Sequence, residues 1–334
     1  MFVFTQSNSA DGNQLLSCRR DDDGRLTVLT PVSTKGAGSG TAHLPSQGSV
    51  ILTDDRQHVF VTNAGSGDVA VFAVRPDGPE LLQTADTGTA PRSVAERNGT
   101  VYVLATGDPA IHVFRWDGAA LAPIAGGPCT LPDDVDAAQI GFGPGGRLVV
   151  TSRGRDELLA FPVLDSGLLG DPVATPSAGP TPYGFATTSQ GIVVVTEAFR
   201  AQKGAAAASS YRLDGDRLTP VTASAGNGRS EICWAVTTPN GRYAFTTNFA
   251  DGAISRWRID ADGSLVLEDA TAGLTQDGRS GLRDEDLTDD GRFLYAIDAD
   301  AGELRGWAVD GVGVLTPIAT AAGLPATVAG LAAF

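Results

Sequence analysis

Short runs of β-branched and aromatic residues recur along this chain, each after a turn rich in glycine, asparagine or aspartate. The segment GRYAFTTN at 241–248 returns as GRFLYAID at 291–298. Each copy is followed by a small turn and then by a short strand that contains a tryptophan, Trp257 or Trp307. A repeat of about 40–50 residues that holds several short strands is typical of a β-propeller blade.

The turns between the first and second strands of each repeat locate six complete units. They lie at residues 54–56, 97–99, 144–147, 189–191, 239–242 and 289–292. The N-terminus begins instead with a second strand, at 2–5, and residues 327–334 supply the missing first strand. The pattern predicts an all-β, seven-bladed β-propeller of four-stranded blades, one domain over residues 1–334. The C-terminal strand would join the N-terminal blade, and this closure removes the open sheet edges.

Composition and charge exclude several classes of partner. Apolar residues make up 42% of the chain, enough for a large core, and the net charge is −15. Such a charge argues against nucleic acid or an anionic membrane surface as a partner. The sequence has no secretory signal, no apolar run long enough for a membrane span, and only three cysteines. We therefore expect a cytoplasmic protein and a monomer.

The longer loops all fall on one face of the predicted disc. They join the fourth strand of one blade to the first of the next, or the second to the third, and lie at residues 36–47, 128–138, 197–208 and 273–283. We call this the upper face; the lower face carries tight Asp-Gly and Asn-Gly turns. Because loops on a rigid scaffold carry function more often than the scaffold does, we expect the site at the upper mouth of the central channel.

Polar residues near that mouth are the candidate site. Glu197 and Glu231 are predicted to be catalytic, because a carboxylate in a partly closed channel can have a raised pKa and move a proton. A small-molecule substrate is expected, and the arginines favour an anionic one. The predicted substrate-binding residues are Gln47, Arg92, Gln139, Arg153, Tyr183, Trp234, Asn248, Arg283 and Asp284.

Three other residues need an interpretation of their own. Glu285 falls where other blades have an apolar residue, so its carboxyl needs either a changed pKa or a partner such as a neighbouring arginine. His43 is the one histidine in an upper-face loop; His58 and His112 are expected to pack on outer strands. Cys233 is expected to be a buried thiol. No cysteine and histidine cluster has zinc spacing and no calcium loop is present, so no metal or other cofactor is predicted.

The repeats resemble the lactonase-like seven-bladed propeller family, which includes propeller-type 6-phosphogluconolactonases and carboxy-muconate lactonising enzymes. The resemblance covers essentially the whole chain. It rests on four segments: TPNGRY at 238–243, DDGRFLY at 289–295, TNAGSG at 62–67 followed by VAVF at 69–72, and GLPA at 323–326. It implies a cofactor-independent enzyme that hydrolyses a lactone or performs a related ring opening, ring closure or isomerisation.

The catalytic pattern of that family is matched only in part. Glu197 and Glu231 look like two of its glutamates. Its histidine falls near Ala138 and Gln139, one of its arginines falls at Phe249, and another falls near residues 181–182. The chain therefore looks like a divergent branch. The alternative is a non-catalytic propeller that binds a small metabolite or a protein, including a peptide laid across the upper face.

Overall fold

The computed structural model describes residues 1–275 and 279–334, and within these residues the strands form seven antiparallel sheets. Residues 276–278, in the predicted upper-face loop 273–283, lie outside the described part. Blade 1 contains both chain termini: β1 (Phe2–Gln6), β2 (Gln14–Arg20), β3 (Leu26–Val28), β4 (Val32–Ser33) and, as its innermost strand, β30 (Ala329–Ala333).

The other six blades follow in chain order. Blade 2 is β5 (Val50–Leu52), β6 (His58–Asn63), β7 (Asp68–Arg75) and β8 (Gly78–Asp86). Blade 3 is β9 (Pro91–Arg97), β10 (Thr100–Ala105), β11 (Ala110–Trp116), β12 (Leu121–Pro123) and β13 (Cys129–Thr130). Blade 4 is β14 (Ala137–Phe142), β15 (Leu148–Ser152), β16 (Glu157–Phe161) and β17 (Val173–Pro176).

Blade 5 is β18 (Pro182–Thr187), β19 (Val193–Glu197), β20 (Ala207–Asp214) and β21 (Arg217–Gly226). Blade 6 is β22 (Ile232–Thr237), β23 (Tyr243–Asn248), β24 (Ala253–Ile259) and β25 (Leu265–Leu274). Blade 7 is β26 (Leu282–Leu287), β27 (Phe293–Asp298), β28 (Glu303–Val309) and β29 (Leu315–Ala322). Single 3₁₀ turns lie at Pro144–Gly146, Phe199–Ala201 and Phe249–Asp251. In the described residues, no helix has the length and apolar character that a membrane crossing would require.

Burial explains the sequence pattern of the strands. The second strand of a blade, such as β19, is buried along its whole length, because neighbouring blades cover both faces of the sheet. Its first three residues, 193–195, are accordingly consecutive valines rather than an alternation of apolar and polar residues. The outermost strand β8 alternates between exposed and partly buried residues, as expected at the rim of the disc.

The repeated turn has one hydrogen-bonding scheme. In blade 6 the Thr238 hydroxyl donates to Asn240 Oδ1 at 2.8 Å, and the same oxygen accepts from the Arg242 amide at 3.0 Å. Gly241 between them has φ +66°, a backbone conformation that favours glycine. The scheme recurs with Thr288, Asp290 and Arg292, and with Thr53, Asp55 and Gln57.

The two chain ends close the ring, as predicted. Strand β30 pairs antiparallel with β1, with Val3 opposite Ala333 and Phe4 opposite Ala332. The Thr5 hydroxyl donates to the Ala329 carbonyl at 3.1 Å. Successive innermost strands contact one another all the way round, from β30 through β5, β9, β14, β18, β22 and β26. The predicted seven-bladed propeller with a C-terminal closing strand is confirmed.

A segment of the loop before β5 enters the central channel from the upper face. We call residues 43–48 the plug segment. The Gln47 side chain donates from Nε2 to the Ala235 carbonyl at 2.8 Å and accepts at Oε1 from the Ala235 amide at 3.1 Å. Its carbonyl accepts from the Ser93 hydroxyl at 2.6 Å, and its amide donates to the Ala138 carbonyl at 3.3 Å. These partners belong to blades 3, 4 and 6, so Gln47 lies on the axis and separates an upper mouth from a lower chamber.

Candidate active site at the upper mouth

Four aromatic rings pack together on the upper side of Gln47, two of them, Trp234 and Tyr183, almost fully buried. His43, from the plug segment, stacks on Phe249 with ring centroids 5.4 Å apart and meets the edge of Trp234 at 5.8 Å. Tyr183, from β18, packs against Trp234 at 5.6 Å. The Trp234 indole donates from Nε1 to the Ser46 carbonyl at 2.9 Å, which fixes the plug segment to blade 6. The predicted residues Tyr183, of blade 5, and Trp234, of blade 6, therefore lie together, and His43 of the plug segment contacts both.

Arginine side chains surround these rings. Arg283, at the start of β26, lies over the Phe249 ring at 5.5 Å, and Arg153 lies over the Tyr183 ring at 5.0 Å. Only 4% of Arg283 is exposed, and its Nε and Nη1 have no hydrogen-bond partner among the described residues. Arg92 Nε is likewise buried without a partner there, whereas Arg153 pairs with Asp136 at 2.6 Å. Buried guanidinium nitrogens without acceptors favour an anionic ligand at this place.

The arginines also set the state of His43. Burial, and then the charges of Arg283, Arg153 and Arg92, lower the pKa of His43 to about 4. The imidazole is therefore neutral at pH 7 and can donate from one nitrogen while it accepts at the other. Its Nε2 lies 3.4 Å from the Tyr183 hydroxyl oxygen. Burial raises the pKa of Tyr183 well above its usual value, so this phenol stays protonated.

Two carboxyl groups flank the cluster. Asp284 is 3% exposed, and burial raises its pKa to about 7, although the Gly330 amide and Arg283 oppose the shift. Glu231 lies half-buried just before β22 with φ 55°, a strained conformation for a residue other than glycine. Burial, followed by the charge of Asp251, raises the pKa of Glu231. Cys233 beside it is a buried free thiol whose pKa is raised mainly by burial, in agreement with the prediction of a buried thiol.

The position of Glu197 corrects the expectation that its carboxyl faces the channel. It is the last residue of β19 and is fully buried inside blade 5. Its Oε1 accepts from the Gly179 amide at 2.9 Å and from the Ser209 hydroxyl. Burial raises its pKa, and these hydrogen bonds oppose the shift. The Glu197 carboxyl is thus held by hydrogen bonds inside blade 5, whereas Glu231 lies just before β22 of blade 6, and neither carboxyl is among the charges that shift the pKa of the other.

Asn248 is displaced from the mouth for the same reason. It ends β23 and is buried, with Nδ2 donating to the Ala253 carbonyl and the Ser255 hydroxyl, both at 3.0 Å. Asn63 and Asp298 end β6 and β27 and are also hydrogen-bonded inside their blades. The last residue of a second strand is thus a polar position that fastens the strands of a blade. Glu197 and Asn248 occupy this structural position.

The two glutamines predicted to bind substrate already use their amides. Gln139 accepts at Oε1 from the Phe185 amide at 2.6 Å and donates from Nε2 to the Phe185 carbonyl at 3.0 Å. Gln47 bonds both backbone groups of Ala235 in the same way. The inner edge of an innermost strand has no neighbouring strand, and these side-chain amides form hydrogen bonds with the backbone N–H and C=O groups that would otherwise be unpaired there. This arrangement corrects the expectation of free amides at the mouth.

Comparisons with known proteins give the chain its relatives. Residues 194–328, less than half of the chain, match the family model described as lactonase, 7-bladed beta-propeller. The chain resembles the lactonase-like propellers, as the sequence indicated. A search of curated proteins finds no match.

Solved structures agree on the fold. A protein from Lactobacillus plantarum superposes with a TM-score of 0.78 at 16% identity, over 99% of this chain and 98% of its own. A provisionally named 6-phosphogluconolactonase from Bacteroides fragilis gives 0.75 at 19% identity, over 99% and 96%. The periplasmic gluconolactonase of Pseudomonas aeruginosa gives 0.71 at 17% identity, over 98% and 99%. At these identities the likeness shows the shared propeller, and the chemistry must be argued from the site.

Proposed function

We propose that this protein is a lactonase-like enzyme that opens a small, negatively charged lactone at the upper mouth. The observation that carries the proposal is the Arg283 guanidinium, which is almost fully buried with Nε and Nη1 unpaired among the described residues. Leaving charged donors unpaired in a buried place costs free energy, which a bound anion would recover. Arg92 and Arg153 strengthen the positive potential around the same rings.

The arginine and the histidine that the family resemblance implies are absent from their expected positions, but side chains of the same chemical type lie beside both positions. The resemblance places an arginine at Phe249, and Arg283 lies over that phenyl ring at 5.5 Å. It places a histidine near Ala138, which packs in one cluster with Tyr183 and Trp234. His43 reaches the same cluster from the plug segment. A guanidinium and an imidazole are thus supplied from other positions in the chain, which supports a shared type of chemistry.

The proposed reaction uses these side chains and water. The arginines hold the anionic substituent, and neutral His43 or the Tyr183 hydroxyl donates a hydrogen bond to the lactone carbonyl oxygen as negative charge develops there. Glu231 accepts a proton from the attacking water; the water oxygen bonds to the carbonyl carbon and the ring C–O bond breaks. The proton then passes to the leaving ring oxygen, which gives the open hydroxy acid. Glu197 is left out, because its carboxyl is fastened inside blade 5.

A panel of lactones with and without a carboxylate or phosphate substituent tests the proposal, with proton release as the readout. General acid–base catalysis contributes about 10²- to 10⁴-fold, so Glu231→Gln should lower kcat by that order. Glu80→Gln, at an exposed carboxylate of blade 2, is the matched control and should have no effect. Full activity of Glu231→Gln would remove the assignment of Glu231. Binding of hydroxy acids or lactones without turnover would support the alternative, a metabolite-binding propeller, which the missing family histidine favours.

A further inference from the structure

The lower chamber is a second hollow on the propeller axis, on the other side of Gln47 from the proposed active site. It has a volume of about 370 Å³ and reaches the lower face at the turns that hold Asp54 and Arg56. Its wall includes five carboxyl residues and two arginines: Asp54, Glu96, Asp284, Glu285, Asp286, Arg56 and Arg97.

The charges of this wall are unbalanced. Arg56 is already neutralised, because its Nε donates to both carboxylate oxygens of Asp289, at 3.0 and 2.9 Å. Arg97 lies over the Phe142 ring at 4.0 Å. In the described parts of the chain, none of the five carboxyl groups takes part in an ion pair. The wall therefore has more carboxyl groups than guanidinium groups, and although Arg283 and Arg56 lie near Asp284 and Asp286, neither forms an ion pair with a described carboxyl of this wall.

Glu285 is the most unusual of the five. It is 4% exposed, and neither of its carboxyl oxygens accepts a hydrogen bond of ordinary geometry among residues 1–275 and 279–334, although the Thr247 backbone lies near enough to oppose the rise of its pKa. The arginine partner considered from the sequence is thus not found there. The blade repeats place apolar residues at this position: Val50, Ile140, Phe185 and Ala235. Burying a carboxyl without a partner, where an apolar side chain would fit, lowers the stability of the fold. Residues that lower stability in this way are found most often at functional sites.

The other residues of the wall indicate which kind of positively charged ligand the chamber could hold. Val94, Ile140, Val236, Leu287 and Leu331 give the chamber an apolar side. The carboxyl groups are not grouped as metal ligands: within the described residues, no set of three or more His, Cys, Asp or Glu side chains is placed to hold a metal ion. Carboxyl groups and apolar side chains lie next to one another around this wall, for example Asp286 and Leu287 on β26, and such a mixture suits a ligand with a charged head and a short hydrocarbon body.

We propose that the lower chamber binds a small organic amine, whose ammonium or guanidinium group pairs with carboxyl groups of this wall, Glu285 and Glu96 among them, and whose apolar body packs on the apolar side chains of the same wall. Glu96 contributes because it is half-buried at this wall, where its Oε1 accepts from the Gly99 amide at 2.9 Å. The site does not depend on the proposed lactonase activity, since the plug segment separates the two.

Isothermal titration calorimetry with n-butylamine and 1,4-diaminobutane tests this site, in an amine-free phosphate buffer at pH 8, with n-butanol as the uncharged probe. The full chain should bind an amine and not the alcohol. Glu285→Gln and Glu96→Gln preserve side-chain volume and should each weaken amine binding at least tenfold. Asp77→Asn, at an exposed turn of blade 2, should leave it unchanged.

Circular dichroism on each variant establishes that it is folded. If Glu285→Gln does not fold, the amine affinity of Glu96→Gln, at the less buried residue, tests the proposal. The proposal is overturned if neither amine binds, if the alcohol binds equally well, or if both glutamine variants bind amines like the unmodified chain. Because heat of amine binding is measured and not lactone turnover, a negative result here leaves the proposed active site untouched, and loss of lactonase activity leaves this site untouched.

Discussion

Replacing Glu285 with leucine should make this protein more stable. The residue is 4% exposed and both carboxyl oxygens lack partners among the described residues, at a position that is apolar in other blades. Leaving a buried polar group unsatisfied costs about 1–3 kcal/mol. The leucine variant should recover about that amount, because its side chain resembles the residues that neighbouring blades place there. With an m-value of about 3 kcal/mol/M, the urea midpoint would rise by roughly 0.3–1 M.

The gain should depend on pH in a defined direction. Burial raises the pKa of Glu285 well above its ordinary value, so the folded chain binds this proton more tightly than the unfolded chain does. Below the pKa that Glu285 has in the unfolded chain, its carboxyl is protonated in both states and does not weaken the fold. As pH rises from there toward its pKa in the folded chain, folding must keep a proton that the unfolded chain releases, so the free energy of unfolding falls. Glu285→Leu should therefore exceed the unmodified chain by more at pH 8 than at pH 5.

Urea unfolding followed by tryptophan fluorescence at these two pH values measures both effects. Glu80→Leu, at an exposed site, serves as the control for adding an apolar side chain and should change the midpoint little. Glu285→Gln should remove the part of the pH dependence that Glu285 contributes, leaving that of Asp284 and Asp286, but should gain less stability than the leucine variant because its amide is also left without partners. A lower midpoint for Glu285→Leu at both pH values would refute the reasoning, since it would mean that the carboxyl has a stabilising partner.

Three further predictions follow from the fold. Deleting residues 329–334 removes the strand that pairs with β1, so the truncated chain should lose its cooperative thermal transition and aggregate; a truncated chain with an unchanged transition would contradict closure. Glu197→Ala should lower the melting temperature and Glu197→Gln should restore most of it, while kcat/KM of the glutamine variant on any lactone substrate should stay within about twofold; a large loss of activity would return Glu197 to the reaction. Burial raises the pKa of Asp286 and of Asp284 from 3.8 to about 7, which corresponds to on the order of 4 kcal/mol each, so the free energy of unfolding should fall as pH rises from 4 to 7; Asp286→Asn should flatten this fall, and an unchanged slope would argue against it.

The repeated turns and strands made the fold predictable. Gly241 and Gly291 mark turns that only a few residue types can form, and the missing first strand at the N-terminus required a partner at the C-terminus. The position of Glu197 could also have been found, because aligning the ends of the second strands puts it in one column with Asn63, Asn248 and Asp298. A polar residue repeated at one structural position indicates a fastening role rather than chemistry.

The plug segment could not be predicted in the same way. It has no counterpart in the repeat, so nothing in the periodicity shows that Gln47 crosses the axis or that His43 stacks on Phe249. Contacts between residues so distant in sequence depend on the path of one irregular loop. The arginines were predictable as a group near the mouth, but the buried and unpaired state of Arg283 required coordinates.

The most direct test of the proposed active site compares two substrates, a lactone that carries a carboxylate and the same lactone with that group as a methyl ester, in the unmodified chain and in two variants. A hydrogen bond to a charged group contributes about 1.5–3 kcal/mol, which is roughly 10- to 150-fold in kcat/KM. Arg283→Gln should lose that factor on the charged lactone and little on the ester, while Arg217→Gln, at an exposed site of blade 5, should lose nothing on either. Equal losses on both lactones, or none on the charged one, would contradict an anion site at Arg283.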